Sequence, residues 1–241
     1  PFLVEDMQEV LMLLGIDSVT SKVALVMAIF AHAFRYAYEP FVFGKNREGD
    51  NRDMYAKAMK YFFIFSLLAF LVVMGYMDIL RYMVARDYWE GLSVVAIVML
   101  AEIFKGIYFN LSFWYKLTDE TRWGAYFSLI GCAVILSLNI WLVPVYGYVA
   151  SAWASVAGYG VITLLSYFIG QKKYPVDYPL KDMAVYLLLA GVLYALSVWI
   201  PVHNTVLHLL LNTVLILVFI GDILKKDLPL KSIPILNRLV R

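Results

Sequence analysis

The chain has 241 residues, 63% of them in AVILMFWYC, and its 14 glycines bring the apolar share to about 69%, against about 45–50% in soluble domains. Charged residues make up only 16%, mean hydropathy is +0.76, and the charges cluster between long uncharged runs, a pattern that excludes an ordinary soluble globular domain. Formal charge is +2 with the basic residues in short inter-helix stretches, so no nucleic-acid partner is expected, and the lone cysteine, Cys132, excludes an intrachain disulfide. Residue 1 is Pro and no signal sequence precedes the first span, so the chain is expected to be part of a longer protein.

The expected class is all-α, a polytopic membrane protein with seven transmembrane helices. Residues 1–21 precede them; positions 3–14 place Leu3, Met7, Val10, Leu11 and Leu14 on one face, as either an interfacial helix or the end of a preceding span. The first span, 22–43, contains His32, Arg35, Tyr36 and Glu39, and Pro40 ends or kinks it. The second is 61–80. The third, 91–115, holds Glu102 and Lys105 near its midpoint.

Trp123 to Gln171 is a run of 49 residues without Asp, Glu, Lys, Arg or His, room for two spans of roughly 20 residues each. The break is expected at Pro144, Val145, Tyr146 and Gly147, giving spans 123–143 and 148–170. In the second of these Gly147, Ser151, Ala154, Ser155 and Gly158 form a small-residue face suited to close helix approach. Spans 183–202 and 205–222 follow, broken at Pro201, His203 and Asn204, and 225–241 form a tail. Trp89, Trp114, Trp123, Trp141 and Trp199 fall at or near span ends, where indoles anchor in the headgroup layer.

Loops 44–60, 116–122 and 171–182 and the tail carry 15 Lys and Arg, against Arg81 and Arg86 alone on the alternate side. The asymmetry predicts that the C-terminus is cytoplasmic and the N-terminus of this chain outside.

A charge near the bilayer centre costs about 2.5–3.5 kcal/mol or more, which makes each one a candidate functional residue. His32, Arg35, Tyr36 and Glu39 recur at helical spacing and share one face. Arg35 and Glu39 are either a self-neutralising pair or a guanidinium held for an anion such as phosphate or pyrophosphate. Glu102 and Lys105, three apart, are likewise either a closed ion pair or a carboxylate that exchanges a proton or coordinates sodium. Asp78, Asp222, His208, Asn139 and Asn212 are read as structural.

The strings AFRYAYEPFVF at 33–43, LAEIFKGIYFNLSFWYKLTDET at 100–121, YGYVASAW at 146–153 and SYFIGQKKYP at 166–175 resemble the oligosaccharide flippases of bacterial polysaccharide biosynthesis, relatives of the multidrug and toxin extrusion antiporters. The resemblance runs in order over essentially the whole chain. It implies a two-lobe transporter fold, of which this chain supplies most of the second lobe and two accessory helices, with the N-terminal lobe as a missing partner. The implied function is flipping of an undecaprenyl-pyrophosphate-linked oligosaccharide across the bacterial inner membrane, by ion-coupled alternating access. Arg35, with Tyr36, His32 and Lys105, would line the cavity; Glu39 and Glu102 would serve ion coupling or pairing. No cofactor is expected beyond a coupling proton or sodium ion, and the other partners are membrane lipids. A cation antiporter of the same fold remains an alternative. A membrane glycosyltransferase or ligase fits less well, because the outer loops leave little room for catalytic groups, and no enzyme activity is expected.

Overall fold

The computed structural model describes residues 27, 29, 31–36, 52–84, 86–200 and 204–227. About nine in ten of these are helical and none lies in a strand. Among the described residues six helical stretches are long and apolar enough to cross a membrane, and the chain is a multi-pass membrane protein on that ground. Of the first expected span only part is described, with residues 31–36 helical. Segment 3–14, Glu39, Pro40 and the tail beyond Asp227 lie outside the described residues.

Helix α1 spans Arg52–Gly75 and so begins well inside the stretch read from its basic residues as a loop. The sequence there, RDMYAKAMK, has no proline or glycine to stop a helix, and Tyr55, Ala56, Ala58 and Met59 are buried. A turn at Tyr76 leads to the short helix α2, Met77–Leu80. A single 3-10 turn, Arg81–Met83, and a nine-residue 3-10 helix, Arg86–Val94, then lead to α3, Val95–Leu111. The Ser112 hydroxyl donates to the Phe109 carbonyl at 2.6 Å at the junction of α3 with the short α4, Phe113–Leu117, and the backbone of Ser112 stays helical between them.

Helix α5 spans Arg122–Tyr146 and carries Pro144 inside its last turn. The break therefore falls later than expected, at Gly147 alone. Proline removes a single donor, which a helix about to end tolerates. Gly147 instead has φ +60° and ψ −148°, a region closed to residues with a Cβ, and this is what separates α5 from α6. Helix α6 spans Tyr148–Lys173. In the following linker the Gln171 side-chain amide both donates to the Val176 carbonyl (2.6 Å) and accepts from its N–H (3.2 Å), fixing the chain's exit. Helices α7, Leu180–Trp199, and α8, Thr205–Lys226, complete the fold. The Asn204 side chain caps α8 by accepting from Val206 N–H at 2.9 Å.

Helices α1 and α3 sit centrally, with α7 and α8 packed on α1, and with α6 on α3 and α5 on α6. The core between α1, α7 and α8 follows helical spacing: Met59, Phe63, Leu67 and Leu71 meet Tyr186, Ala190 and Leu193 and, from α8, Ile216, Phe219 and Ile223. Gly106 lets α1 close on α3, since a Cβ there would lie 2.2 Å from the Phe62 ring.

The small-residue face of α6 meets α5 in the same manner. Gly158 and Gly131 face one another across the crossing, and a Cβ on Gly158 would lie 2.3 Å from Ile135. Most of the remaining α5 surface, including Trp141 at 80% exposure, is turned outward, as is Trp199 at 82%. Both suit the headgroup layer. Trp114 does not: it is 3% exposed, packs on Gly170, and donates to the Ser166 hydroxyl at 3.2 Å. The expectation of an interfacial anchor fails for it because its ring packs against α6, where Gly170 leaves room and Ser166 accepts its N–H.

Candidate functional site

Helix α3 positions the mid-span charges. Three residues apart, Glu102 and Lys105 project from one face, and Lys105 Nζ donates to Glu102 Oε1 at 2.6 Å. Both side chains are largely buried, at 16% and 21% exposure. The ion pair left open by the sequence is thus formed within one helix. It is not fully consumed, however. Glu102 Oε2 is buried with no hydrogen-bond partner among the described residues, which leaves a carboxylate oxygen able to take a proton or a cation.

Lys105 also stands 5.6 Å from the Tyr159 ring centre, a cation–π contact that draws its ammonium toward α6. There it reaches a cleft of about 380 Å³ between α3, α5 and α6. The cleft walls are mainly apolar, with Phe109, Ile135, Leu136 and Ile162, and it opens where the glycine crossing leaves α5 thin. Cys132 lies on this wall.

The stripe on the first helix is brought against the same stretch of α3. The Arg35 guanidinium lies 5.3 Å from the Phe109 ring and 5.3 Å from that of Tyr36. The His32 ring is 6.4 Å from both Phe109 and Tyr36. Asn110, beside this contact, bonds its own helix at the Gly106 carbonyl, 3.0 Å. Phe109 therefore borders both the Arg35 contact and the Lys105 cleft. Arg35 is half-buried, whereas His32 and Tyr36 (67%) are exposed. Of the six residues named from the sequence, Arg35 and His32 pack on Phe109 of α3, Tyr36 stacks beside them on its own helix, Glu102 and Lys105 pair with each other on α3, and Glu39 lies outside the described residues. Among the described residues no three His, Cys, Asp or Glu side chains gather to hold a metal.

Three further polar groups tie helices together. At the start of α1, Lys60 Nζ bridges Asp182 (2.6 Å) and Asp227, and Tyr186 donates its hydroxyl to Asp227. At the opposite end, Asp78 Oδ2 lies 2.6 Å from His208 Nδ1, and His208 Nε2 is 3.2 Å from the Ser197 carbonyl. Between them Asn212 donates to the Gly75 carbonyl at 2.8 Å and accepts from Ser197 at 2.7 Å. Asn212 is thus structural, as is Asn139, which bonds back to the Ile135 carbonyl at 2.9 Å. Asp78 and His208 likewise join helices, and with Arg81 they line a cavity. The strict alternation of span ends was the one signal that could have placed them on the same side.

Outside the spans, Lys173 and then Trp123 hydrogen-bond Glu120 and hold its carboxyl below the usual carboxylate range. Burial pushes the Tyr178 hydroxyl up.

A scan against known protein families and searches of curated proteins and of solved structures found nothing that matches the chain. The chemistry of the site is consequently read from its own geometry. That geometry offers two cationic groups, one apolar cleft and one unsatisfied carboxylate oxygen within a bundle of spanning helices.

Proposed function

We propose that the chain forms part of an exporter that moves an undecaprenyl-pyrophosphate-linked oligosaccharide from the cytoplasmic to the periplasmic leaflet of the bacterial inner membrane. The observation that carries this reading is the Arg35 guanidinium against the Phe109 ring, with Lys105 at the edge of the apolar cleft that the same ring lines between spanning helices. An amphipathic lipid diphosphate asks for that combination. A guanidinium fork and an ammonium meet the phosphate oxygens, and apolar walls receive the start of the isoprenoid chain. Alternating access would rock this bundle against the N-terminal lobe around the mid-span charges, with Glu102 exchanging the coupling proton or sodium ion. The positive charge asymmetry of the loops supports a cytoplasmic C-terminus.

The test is export of surface polysaccharide by the full-length protein at matched expression. Arg35→Ala should abolish it and Arg35→Lys should retain part, since lysine keeps the charge and loses the fork. Normal polysaccharide in cells carrying Arg35→Ala overturns the reading. A cation antiporter is the second reading, favoured by the aromatic wall of Tyr108, Phe109 and Tyr159 in the cleft lined by Lys105, the ion-pair partner of Glu102. Uptake of a fluorescent cation into vesicles, lost in Glu102→Gln and unaffected by Arg35→Ala, would select it.

A further inference from the structure

A cavity of about 520 Å³, larger than the cleft beside Lys105, lies at the opposite side of the bundle where α1 passes into α2 and α7 into α8. Met74, Met77 and Tyr194 contribute the larger apolar side chains of its lining. Its rim is polar, from Asp78, Arg81 and His208, with Thr205 at the N-terminal end of the 22-residue helix α8.

The charges at this rim are unevenly satisfied. Asp78 is engaged by His208 at 2.6 Å, and the second imidazole nitrogen faces the Ser197 carbonyl. Arg81 Nη1 is 3.7 Å from Asp78 Oδ1, beyond hydrogen-bond reach. Among the described residues its guanidinium makes no hydrogen bond, and its Nε is buried without a partner. The group is nevertheless held in place. Its carbon lies 5.3 Å from the Tyr82 ring centre and 5.5 Å from that of Trp89, and Trp89 Nε1 donates to the Arg81 carbonyl at 3.1 Å. A guanidinium stacked on two aromatic rings with its donors unspent is pre-organised for an acceptor with several oxygens. The N-terminal end of α8 adds positive potential from the same side.

We propose that this cavity binds a membrane phospholipid, with its phosphate at Arg81 and the glycerol and first acyl carbons against Met74, Met77 and Tyr194. The lipid is favoured over a free anion by Met74, Met77 and Tyr194, which line the same cavity as Arg81, and by Val198 and Ile200, which line it too and are themselves exposed. Tyr82, Trp89 and Trp199 surround this end as headgroup-layer residues do. The site does not depend on what the protein transports.

The test is native mass spectrometry of the full chain in mild detergent, with added phosphatidylglycerol, phosphatidylethanolamine or phosphate-free diacylglycerol. Wild type should retain one of the two phospholipids about tenfold better than diacylglycerol. Arg81→Gln should lose most of that preference and Arg81→Lys part of it, while Arg86→Gln, which removes the same charge from the same end outside the cavity, should keep it. Wild type that holds diacylglycerol as well as phospholipid overturns the proposal even if no variant folds. So does an Arg81→Gln protein with unchanged preference. Displacement of the lipid by millimolar inorganic phosphate would reassign the site to a free anion.

Discussion

The two halves of the bundle are held by different physics. Where α1, α7 and α8 meet, directional polar bonds join helices at three levels: Lys60 with Asp182 and Asp227, Asn212 with Gly75 and Ser197, and Asp78 with His208. Where α5 meets α6, shape dominates. Gly131 and Gly158 bring the helices together, and polar side chains such as Ser155 and Asn139 bond back to their own helices at Ser151 and Ile135. In lipid there is little hydrophobic drive between apolar helices, so an interface needs either bonds or very close packing. The proposed transport cleft lies beside the second kind, and the proposed lipid cavity beside the first.

Substitutions that add volume should separate the halves most strongly. Gly158→Leu should disrupt the α5–α6 crossing by about 3 kcal/mol, because a Cβ would already lie 2.3 Å from Ile135. Gly160→Leu, on the same helix with open space around it, should leave the thermal unfolding midpoint in detergent nearly unchanged. Equal effects would show that α5 is not held by steric fit.

Removal of polarity should act on the other half. Lys60→Met leaves Asp227, 12% exposed, without its cation and should cost about 2 kcal/mol, read from the same unfolding assay. Asn212→Leu should cost about 1 kcal/mol by stranding the Gly75 carbonyl and the Ser197 hydroxyl, whereas Asn139→Leu should be close to neutral. A larger loss from Asn139→Leu than from Asn212→Leu would reverse the assignment of bonds to one half and packing to the other.

The smallest effect concerns the surface. The carboxyl of Glu120 is held low in the folded state, so its contact with Lys173 contributes above its ordinary value of 4.5 and is lost as pH falls through the lowered value. The difference in unfolding midpoint between wild type and Lys173→Met should be constant near neutral pH and vanish in acid below pH 4.5. A difference that grows in acid would contradict this linkage.

The sequence by itself determined the class of the molecule and the features written within single helices. Long uncharged runs specify spanning helices because a backbone in lipid must satisfy its own hydrogen bonds. Gly147 marks the joint between α5 and α6, the small residues of α6 mark a face of close approach, and Glu102 and Lys105 meet because three residues make almost one turn. Tertiary structure decided which helix faces which. A helix that is apolar all round shows only a weak periodic signal of its buried side. Asp78 and His208, or Lys60 with Asp182 and Asp227, are far apart in the chain, and only the docking of α7 and α8 on α1 makes them neighbours. The burial of Trp114 and the unsatisfied guanidinium of Arg81 belong to the same category, because each depends on which groups the folded bundle brings against it.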